Sequence, residues 1–290
     1  MAGPLAEILL RGEQRSPLVL ASPHSGGCYP ADLLAATRLD TASLRRSEDC
    51  FVDEIFAAAP EDGIPLLRAR FARAYLDPNR EPFELDPAMF AEPLPAYVNS
   101  GSQRVRNGLG TIPRIVSSGQ GIYARRLNFA EAALRIDQYY AAYHLALVRM
   151  LDRTLARFGW HLLLDCHSMP SSATGKGRFR TDIVLGDCHG SACHPDCIGA
   201  AHRFLKGRGY AVVRNNPYAG GFTTSHYGRP SAGRNVLQIE INRALYMDES
   251  SFERLPGLTQ LAADMRDLVG VLASLDLTTK ELVEGSARRW

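Results

Sequence analysis

The feature that most constrains the fold is the apolar run from Trp160 to Leu164, because the polar stretch "DCHSMP" follows it directly. A short apolar run of this kind predicts a buried strand, yet this strand finishes in an acid, a thiol, an imidazole and a hydroxyl. A second apolar run, Ser16 to Ser22, leads into "SPHSGG" and ends in the same way at His24. Ligands of open α/β sheets gather outside the carboxyl ends of the strands. We therefore expect His24 and His167 to face one cleft, where a histidine suits metal binding or proton transfer.

The order of the apolar patterns predicts the fold class. Strand and helix patterns alternate, which is typical of an α/β fold with a mixed or largely parallel sheet. The predicted strands are 16–22, 65–75, 160–166, 182–185, 210–214 and 235–241, and the predicted helices are 43–59, 128–158, 195–206 and 255–274. Residues 77–121 are rich in Pro, Gly, Asn and Ser, and a loop of that length is usually functional or contains short elements. No repeat or linker divides the sequence, so we expect one domain over residues 1–290.

Charge and composition narrow the function classes. The chain has 33 basic and 31 acidic residues and a net charge of +2, which favours neither nucleic acid nor an anionic membrane as partner. No apolar run approaches the roughly 18 residues that span a bilayer, and the first ten residues contain an acid and no basic region. We therefore expect a cytoplasmic protein. Six cysteines are too few for a disulfide scaffold in a chain of 290 residues and would be thiols or ligands.

A metal site with two histidines needs an oxygen ligand, and the stretch "SEDCFVDE" supplies the candidates Glu48, Asp49, Asp53 and Glu54. A solvated helix face is the ordinary explanation of such an acidic cluster, and periodicity does not select one residue from it. Asp165, two residues before His167, could instead orient an imidazole through a hydrogen bond, as metal-bound histidines usually require.

Glu240 interrupts the apolar strand pattern "VLQIEIN". An unpaired carboxylate there would be costly, so it must pair with a cation, line a cleft or lie on an exposed face. Beside a metal it would be suited to act as general base for water. The alternative is a structural ion pair with Arg243 or Arg234.

Two further stretches carry groups suited to binding a substrate. "ARAYLDPNR" brings Arg73, Asn79 and Arg80 to a strand end and turn, and an arginine fork beside an amide suits a carboxylate. A structural salt bridge is the alternative there. The glycine-rich stretch 216–230 contains tyrosines, a histidine and an arginine, and it predicts a cleft wall or lid.

Taken together, these stretches resemble the N-formylglutamate amidohydrolase (deformylase) family. The matching pieces occur in one order from Pro17 to Met247, and they are "SPHSG", Asp49 in "EDCFVDE", "ARAYLDPNR", "DCHSMP", "DIVLGD", "GGFTTSHYGRP", "LQIEIN" and "ALYM". The family is similar in turn to zinc carboxypeptidases and aspartoacylases, whose fold is a three-layer α/β/α sandwich around a mixed sheet.

The resemblance implies hydrolysis of N-formyl-L-glutamate to glutamate and formate, a step of histidine degradation. It implies a zinc ion, a small-molecule substrate and a set of site residues. The implied metal ligands are His24, Asp49 and His167, the base is Glu240, the carbonyl is polarised by Arg73, and substrate is bound by Asn79, Arg80, His226, Tyr227 and Arg229. The second substrate carboxylate would meet Arg229, Arg178 or Lys176. Two positions depart from the related patterns: Gly27 replaces the acid of the carboxypeptidases, and Pro78 replaces the leucine usual in the family.

Three other functions remain open at this point. One is a metal hydrolase of another N-acyl amino acid or of a carboxypeptidase-like substrate, with Co, Mn or Fe as possible metals in place of zinc. Another is a serine or cysteine hydrolase that uses Ser25, Ser168 or Cys166, although no G-x-S-x-G elbow is present. The third is a non-catalytic binding protein with a structural zinc in the Cys- and His-rich segment 188–197.

Overall fold

A seven-stranded mixed sheet forms the centre of the protein in the computed structural model, which describes residues 5–175 and 180–278. The strands are β1 (Ala6–Leu9), β2 (Leu18–Ser22), β3 (Leu66–Ala69), β4 (His161–Met169), β5 (Ile183–Gly186), β6 (Val212–Arg214) and β7 (Arg234–Asn242). The helices are α1 (Ala31–Ala36), α2 (Thr41–Arg45), α3 (Val52–Ile55), α4 (Gln103–Arg106), α5 (Phe129–Arg135), α6 (Ala141–Phe158), α7 (Pro195–Gly207), α8 (Phe222–Tyr227) and α9 (Gly257–Ala273).

The strand order is β1-β3-β2-β4-β7-β5-β6. Strands β3, β2, β4 and β7 run parallel to one another, whereas β1 and β5 are antiparallel to their neighbours β3 and β7, and β6 is parallel to β5. The predicted α/β fold with a mixed, largely parallel sheet is therefore confirmed.

Two hydrophobic cores lie on opposite faces of this sheet. Successive residues of β2 alternate between them, so that Leu18 and Leu20 pack into one core and Val19 and Ala21 into the other. Helices α3, α7 and α9 cover the first face and α6 covers the second. Because the central strands are buried on both faces, they read as unbroken apolar runs in the sequence.

One predicted helix is wrong, and the difference positions a functional residue. In place of one helix over 43–59, α2 ends at Arg45 and α3 begins at Val52. Phe51, directly before α3, takes a left-handed conformation with φ 65°, which a continuous helix does not allow. In the same stretch the amide of Asp49 donates to the carbonyl of His24 at 3.0 Å. This long-range bond turns Asp49 towards the end of β2, which a continuous helix would not do.

Other boundaries also differ from the predicted ones. Strand β4 runs on to Met169, so that His167 lies within the strand, directly opposite Glu240 of β7. The predicted strand 65–75 is reduced to β3, and the edge strand β1 was not predicted. The helical segment from Phe129 to Phe158 begins with a capping box and contains a π-helical turn in its middle.

The long segment 77–121 contains short elements, as its length suggested. A 3-10 turn at Pro87–Met89 and helix α4 lie within it. Across residues 5–175 and 180–278, no helix combines the length and hydropathy that crossing a membrane demands.

Candidate metal centre and active site

His24, Asp49 and His167 meet at the carboxyl end of the parallel strands. Nδ1 of His24 lies 3.2 Å from Oδ2 of Asp49, Nδ1 of His167 lies 3.2 Å from the same oxygen, and the two Nδ1 atoms are 3.1 Å apart. All three side chains are buried. Ligands about 2.0–2.1 Å from a tetrahedral metal are separated by about 3.3 Å. The triangle of ligand atoms therefore has the size of one face of such a site.

The second nitrogen of each imidazole fixes the direction of its lone pair. Nε2 of His24 lies 2.8 Å from Asp77 Oδ1, and Nε2 of His167 lies 3.0 Å from Asp165 Oδ2. A carboxylate accepts hydrogen bonds, so each ring donates through Nε2–H, and a metal ion between the rings and Asp49 would meet the Nδ1 lone pairs. Carboxylate partners of this kind are typical of metal-bound histidines. The donor set thus fits a metal ion.

The electrostatics of the triangle favour a positive charge at its centre. Burial opposes ionisation of Asp49, but the imidazoles of His167 and His24 and the Arg73 guanidinium hold its pKa well below the usual value. Burial also opposes the imidazolium of His167, but the carboxylates of Asp165 and Asp49 raise its pKa well above the usual value. The site therefore holds an ionised carboxylate and attracts a cation, either a proton or a metal.

The structure distinguishes among the acids that the sequence left open. Glu48 accepts hydrogen bonds from the Tyr29 hydroxyl and the Cys50 thiol on the other side of the segment. Asp53 pairs with Arg68 at 3.2 Å. Among these acids, only Asp49 groups with the two histidines.

Glu240 stands on β7 and lines a cavity of about 440 Å³ that also contains the three candidate ligands. Its Oε1 accepts a hydrogen bond from Gln238 at 2.9 Å. Burial and the nearby Asp49 charge raise the pKa of Glu240 to about 7, against the opposing effect of His167 and Arg73. A carboxyl group of this kind can take up and return a proton near neutral pH.

The structural ion pair suggested for Glu240 does not form. Arg243 binds Asp49, and Arg234 lies 3.6 Å from Asp152 near the start of β7.

The turn after Ala72 places two arginines on the cavity wall. Arg73 Nε donates to Asp77 Oδ2 at 3.0 Å, and its Nη1 lies 3.8 Å from Asp49. Arg80 is also within 3.4 Å of Asp77 Oδ2. Burial opposes the charge of Asp77, but Arg80, His24 and Arg73 together hold its pKa well below the usual value.

The amide of Asn79 is bound inside the protein. Its nitrogen donates to Oδ2 of Asp165, the carboxylate behind His167, at 3.4 Å, and its oxygen accepts from the Thr223 amide at 2.8 Å. Asn79 therefore supports His167 from behind.

The stretch 216–230 contributes to the cavity through a different part than predicted. The lining comes from Pro217 to Gly221, whereas His226, Tyr227 and Arg229 do not line it. Tyr227 donates to His144, the His226 ring stacks on Phe222, and Arg229 donates to backbone carbonyls of its own loop. The candidates Lys176 and Arg178 lie outside the described residues.

Sequence reasoning missed Arg104 and Gln238 of the cavity wall and the contact of Arg243 with Asp49. Gln238 could have been found, because it lies two residues before Glu240 and shares its face of the strand. Arg104 carries no local signal beyond its position in the long segment 77–121.

The geometry does not support the rival nucleophiles. Burial raises the pKa of the Cys166 thiol well above its usual value, which disfavours a thiolate. Ser168 accepts from Arg243, which is not a base, and Ser25 bonds to Ser22 and to the Asp49 carbonyl.

The segment 188–197 also lacks the arrangement of a zinc knuckle. Cys193 and Cys197 pack into a hydrophobic core, and His194 caps α7 by accepting from the Asp196 amide. Within the part of the chain that the structure describes, the one group of three or more His, Cys, Asp or Glu side chains able to hold a metal is His24, Asp49 and His167.

Comparison with known proteins gives consistent similarities. The sequence model of a family described as N-formylglutamate amidohydrolase matches residues 16–247. The chain is 28% identical over 251 residues to an N-formylglutamate deformylase of Pseudomonas aeruginosa, covering 84% of this chain and 87% of that protein. It is 26% identical to an N-formylglutamate deformylase of Pseudomonas putida, covering 84% and 86%.

A solved structure is similar over almost the whole chain. The crystal structure of N-formylglutamate amidohydrolase from Ralstonia eutropha has 38% sequence identity and a TM-score of 0.84, covering 98% of this chain and 99% of that one.

Proposed function

Since the chain belongs to the N-formylglutamate amidohydrolase family, we propose that it hydrolyses the formyl amide of N-formyl-L-glutamate to glutamate and formate in a metal-dependent reaction. One observation carries the metal dependence. Two imidazole lone pairs and one carboxylate oxygen converge on a point at the floor of a cavity, and Glu240 and Arg73 line the same cavity.

Zinc is the metal that we propose for this site. His24, His167 and Asp49 would hold it, because two histidines and a carboxylate with an open position form a common type of catalytic zinc site. A bound zinc ion would supply a Lewis acid that polarises the formyl carbonyl and lowers the pKa of water.

The protein's own groups handle the proton and the developing charge. Glu240 accepts a proton from the attacking water as the oxygen–carbon bond forms, and it passes that proton to the amine nitrogen as the carbon–nitrogen bond breaks. Burial raises the pKa of Glu240 above its ordinary value, which favours uptake of a proton from water. Arg73, held by Asp77, donates towards the oxyanion that forms from the carbonyl oxygen.

The substrate is oriented by its carboxylate. Arg80 lies on the cavity wall with its Nε bound to the Leu109 carbonyl and its Nη1 to the Asn79 carbonyl, so the guanidinium is held rigidly. We assign the α-carboxylate of the substrate to Arg80. Asn79 contributes by holding the turn and the Asp165 carboxylate behind His167 in place.

Metal content and formate release, measured together, test the proposal. Wild type should contain about one zinc per chain and release formate from N-formyl-L-glutamate. His167→Ala should lose both, whereas Glu240→Gln should keep the metal and lose about 10²–10⁴-fold in kcat. His202→Ala, on the surface of α7, is the matched histidine control and should behave as wild type.

Each failure has a separate meaning. Metal retained at full occupancy in His167→Ala would show that the ligand set is wrong. A zinc-loaded wild type that releases no formate would show that the substrate is wrong, and N-acetyl amino acids would then be tested. A formyl and an acetyl pocket differ by one methyl group, which is worth only about 1–3 kcal/mol.

A further inference from the structure

The wall of the cavity carries a second cation that the proposed chemistry does not use. Arg104 belongs to the short helix α4 and lines the cavity together with Arg80. The backbone of Leu109 links the two residues through hydrogen bonds. Its amide donates to the Arg104 carbonyl, and its carbonyl accepts from Arg80 Nε at 2.8 Å. Arg104 is thus placed beside Arg80, in the part of the cavity wall that segment 77–121 supplies.

The Arg104 guanidinium can donate hydrogen bonds to a ligand. Its ion pair with Glu84 is at the limit of contact, 4.0 Å, and Glu84 also accepts a hydrogen bond from Ser102. Its side chain is 41% exposed. By contrast, the buried Arg243 is committed to Ser168, Asp49 and a backbone carbonyl. Of these two cavity arginines, Arg104 is the one free to form a new bidentate pair.

The positive charges around Arg80 also favour the binding of an anion. Arg73 and Arg80 both contact the carboxylate of Asp77, and Arg104 adds a third positive charge on the same wall. Burial first, and then the positive charges of Arg73 and Arg104, lower the pKa of Arg80 to about 10 in spite of Asp77. A ligand carboxylate between Arg80 and Arg104 would relieve this repulsion.

We propose that Arg104 is a specificity-determining residue that binds the side-chain carboxylate of the N-acyl amino acid. The inference rests on the proposed function and deepens it. Arg73 contacts Asp49 at the metal centre, Arg80 lies next to Arg73 through Asp77, and Arg104 follows through Leu109. In the N-acyl amino acid, the reacting amide would lie at Arg73, the α-carboxylate at Arg80 and the side-chain carboxylate at Arg104.

The substitution Arg104→Gln, assayed on a charged and an uncharged substrate of the same shape, tests the proposal. The substrates are N-formyl-L-glutamate and N-formyl-L-glutamine, and formate release gives kcat/KM for each. Because a hydrogen bond to a charged group is lost, kcat/KM for the glutamate substrate should fall about 10- to 100-fold. For the glutamine substrate it should change by less than about threefold, and Arg104→Lys should recover part of the loss.

A matched control lies two residues away. Arg106 belongs to the same helix, binds Gln103 and the Gly101 carbonyl, and does not line the cavity. Arg106→Gln should leave both kcat/KM values unchanged, and thermal unfolding should show that all variants are folded.

The outcomes separate the inference from the proposed function. An equal loss on both substrates, or no loss on either, in a folded Arg104→Gln would overturn the role of Arg104 while wild type still releases formate. A wild type that hydrolyses neither substrate would overturn the proposed function, and the inference would fall with it.

Discussion

Asp165→Asn tests whether the buried carboxylate behind His167 prepares the metal site. Asp165 is fully buried, its Oδ2 lies 3.0 Å from His167 Nε2, and its Oδ1 has no hydrogen-bond partner among the described residues. Asparagine has nearly the same shape, and its amide oxygen can still accept from Nε2. The substitution therefore removes the negative charge while keeping the hydrogen bond that orients the ring.

The expected magnitude follows from the role of that charge. Loss of such a partner typically lowers metal affinity by 10- to 100-fold, which is about 1.4–2.7 kcal/mol. With zinc present in excess, zinc-induced stabilisation falls by the same amount. At roughly 2–4 °C per kcal/mol, the shift in Tm on adding zinc should shrink by about 3–11 °C.

Competition with a chromogenic chelator measures the zinc Kd, and thermal unfolding with and without zinc gives the Tm shift. Asp187→Asn is the matched control, because Asp187 is another buried carboxylate, directly after β5, and it accepts hydrogen bonds from Asn215 and the Gly190 amide. Its variant should keep the wild-type Kd. An Asp165→Asn protein with the wild-type Kd and Tm shift would refute the reasoning.

Three more predictions follow from single contacts. Gly26→Ala should destabilise the protein by more than 2 kcal/mol in chemical unfolding, because its Cβ would lie 2.4 Å from the Phe71 carbonyl oxygen, whereas Gly27→Ala meets open space and should be within about 0.5 kcal/mol of wild type; equal effects would contradict this. Glu131→Gln should cost about 0.5–1 kcal/mol above pH 4.5, because hydrogen bonds from Arg125 lower the Glu131 pKa to about 2 in the folded state. That difference should vanish as unfolding is measured at pH values falling towards 2, and a difference that persists at low pH would have another origin. Cys166→Ala should retain wild-type kcat for formate release, since its buried thiol takes no part in the reaction; a loss above tenfold in a folded variant would restore a thiol mechanism.

The sheet and two of the three candidate ligands were predictable from local patterns. The central strands are buried on both faces, so their apolar runs stand out, and His24 and His167 lie where such runs end. Edge strand β1 was not predicted, because its four residues are at most partly buried and do not form a continuous apolar run in the sequence. The helix expected over 43–59 failed because a left-handed Phe51 interrupts a helical pattern without a glycine to mark it.

The sequence by itself determined the α/β class, the positions of His24, His167 and Glu240, and the family resemblance that linked them. The resemblance already implied Asp49 as the third ligand, but only the tertiary structure shows that Asp49 rather than Glu48 lies beside the histidines and that Arg104 lines the cavity. The physical reason is the range of the deciding contacts. A strand is encoded by the hydrophobicity of neighbouring residues, but the hydrogen bond from Asp49 to the His24 carbonyl joins segments 25 residues apart, and no local pattern specifies it.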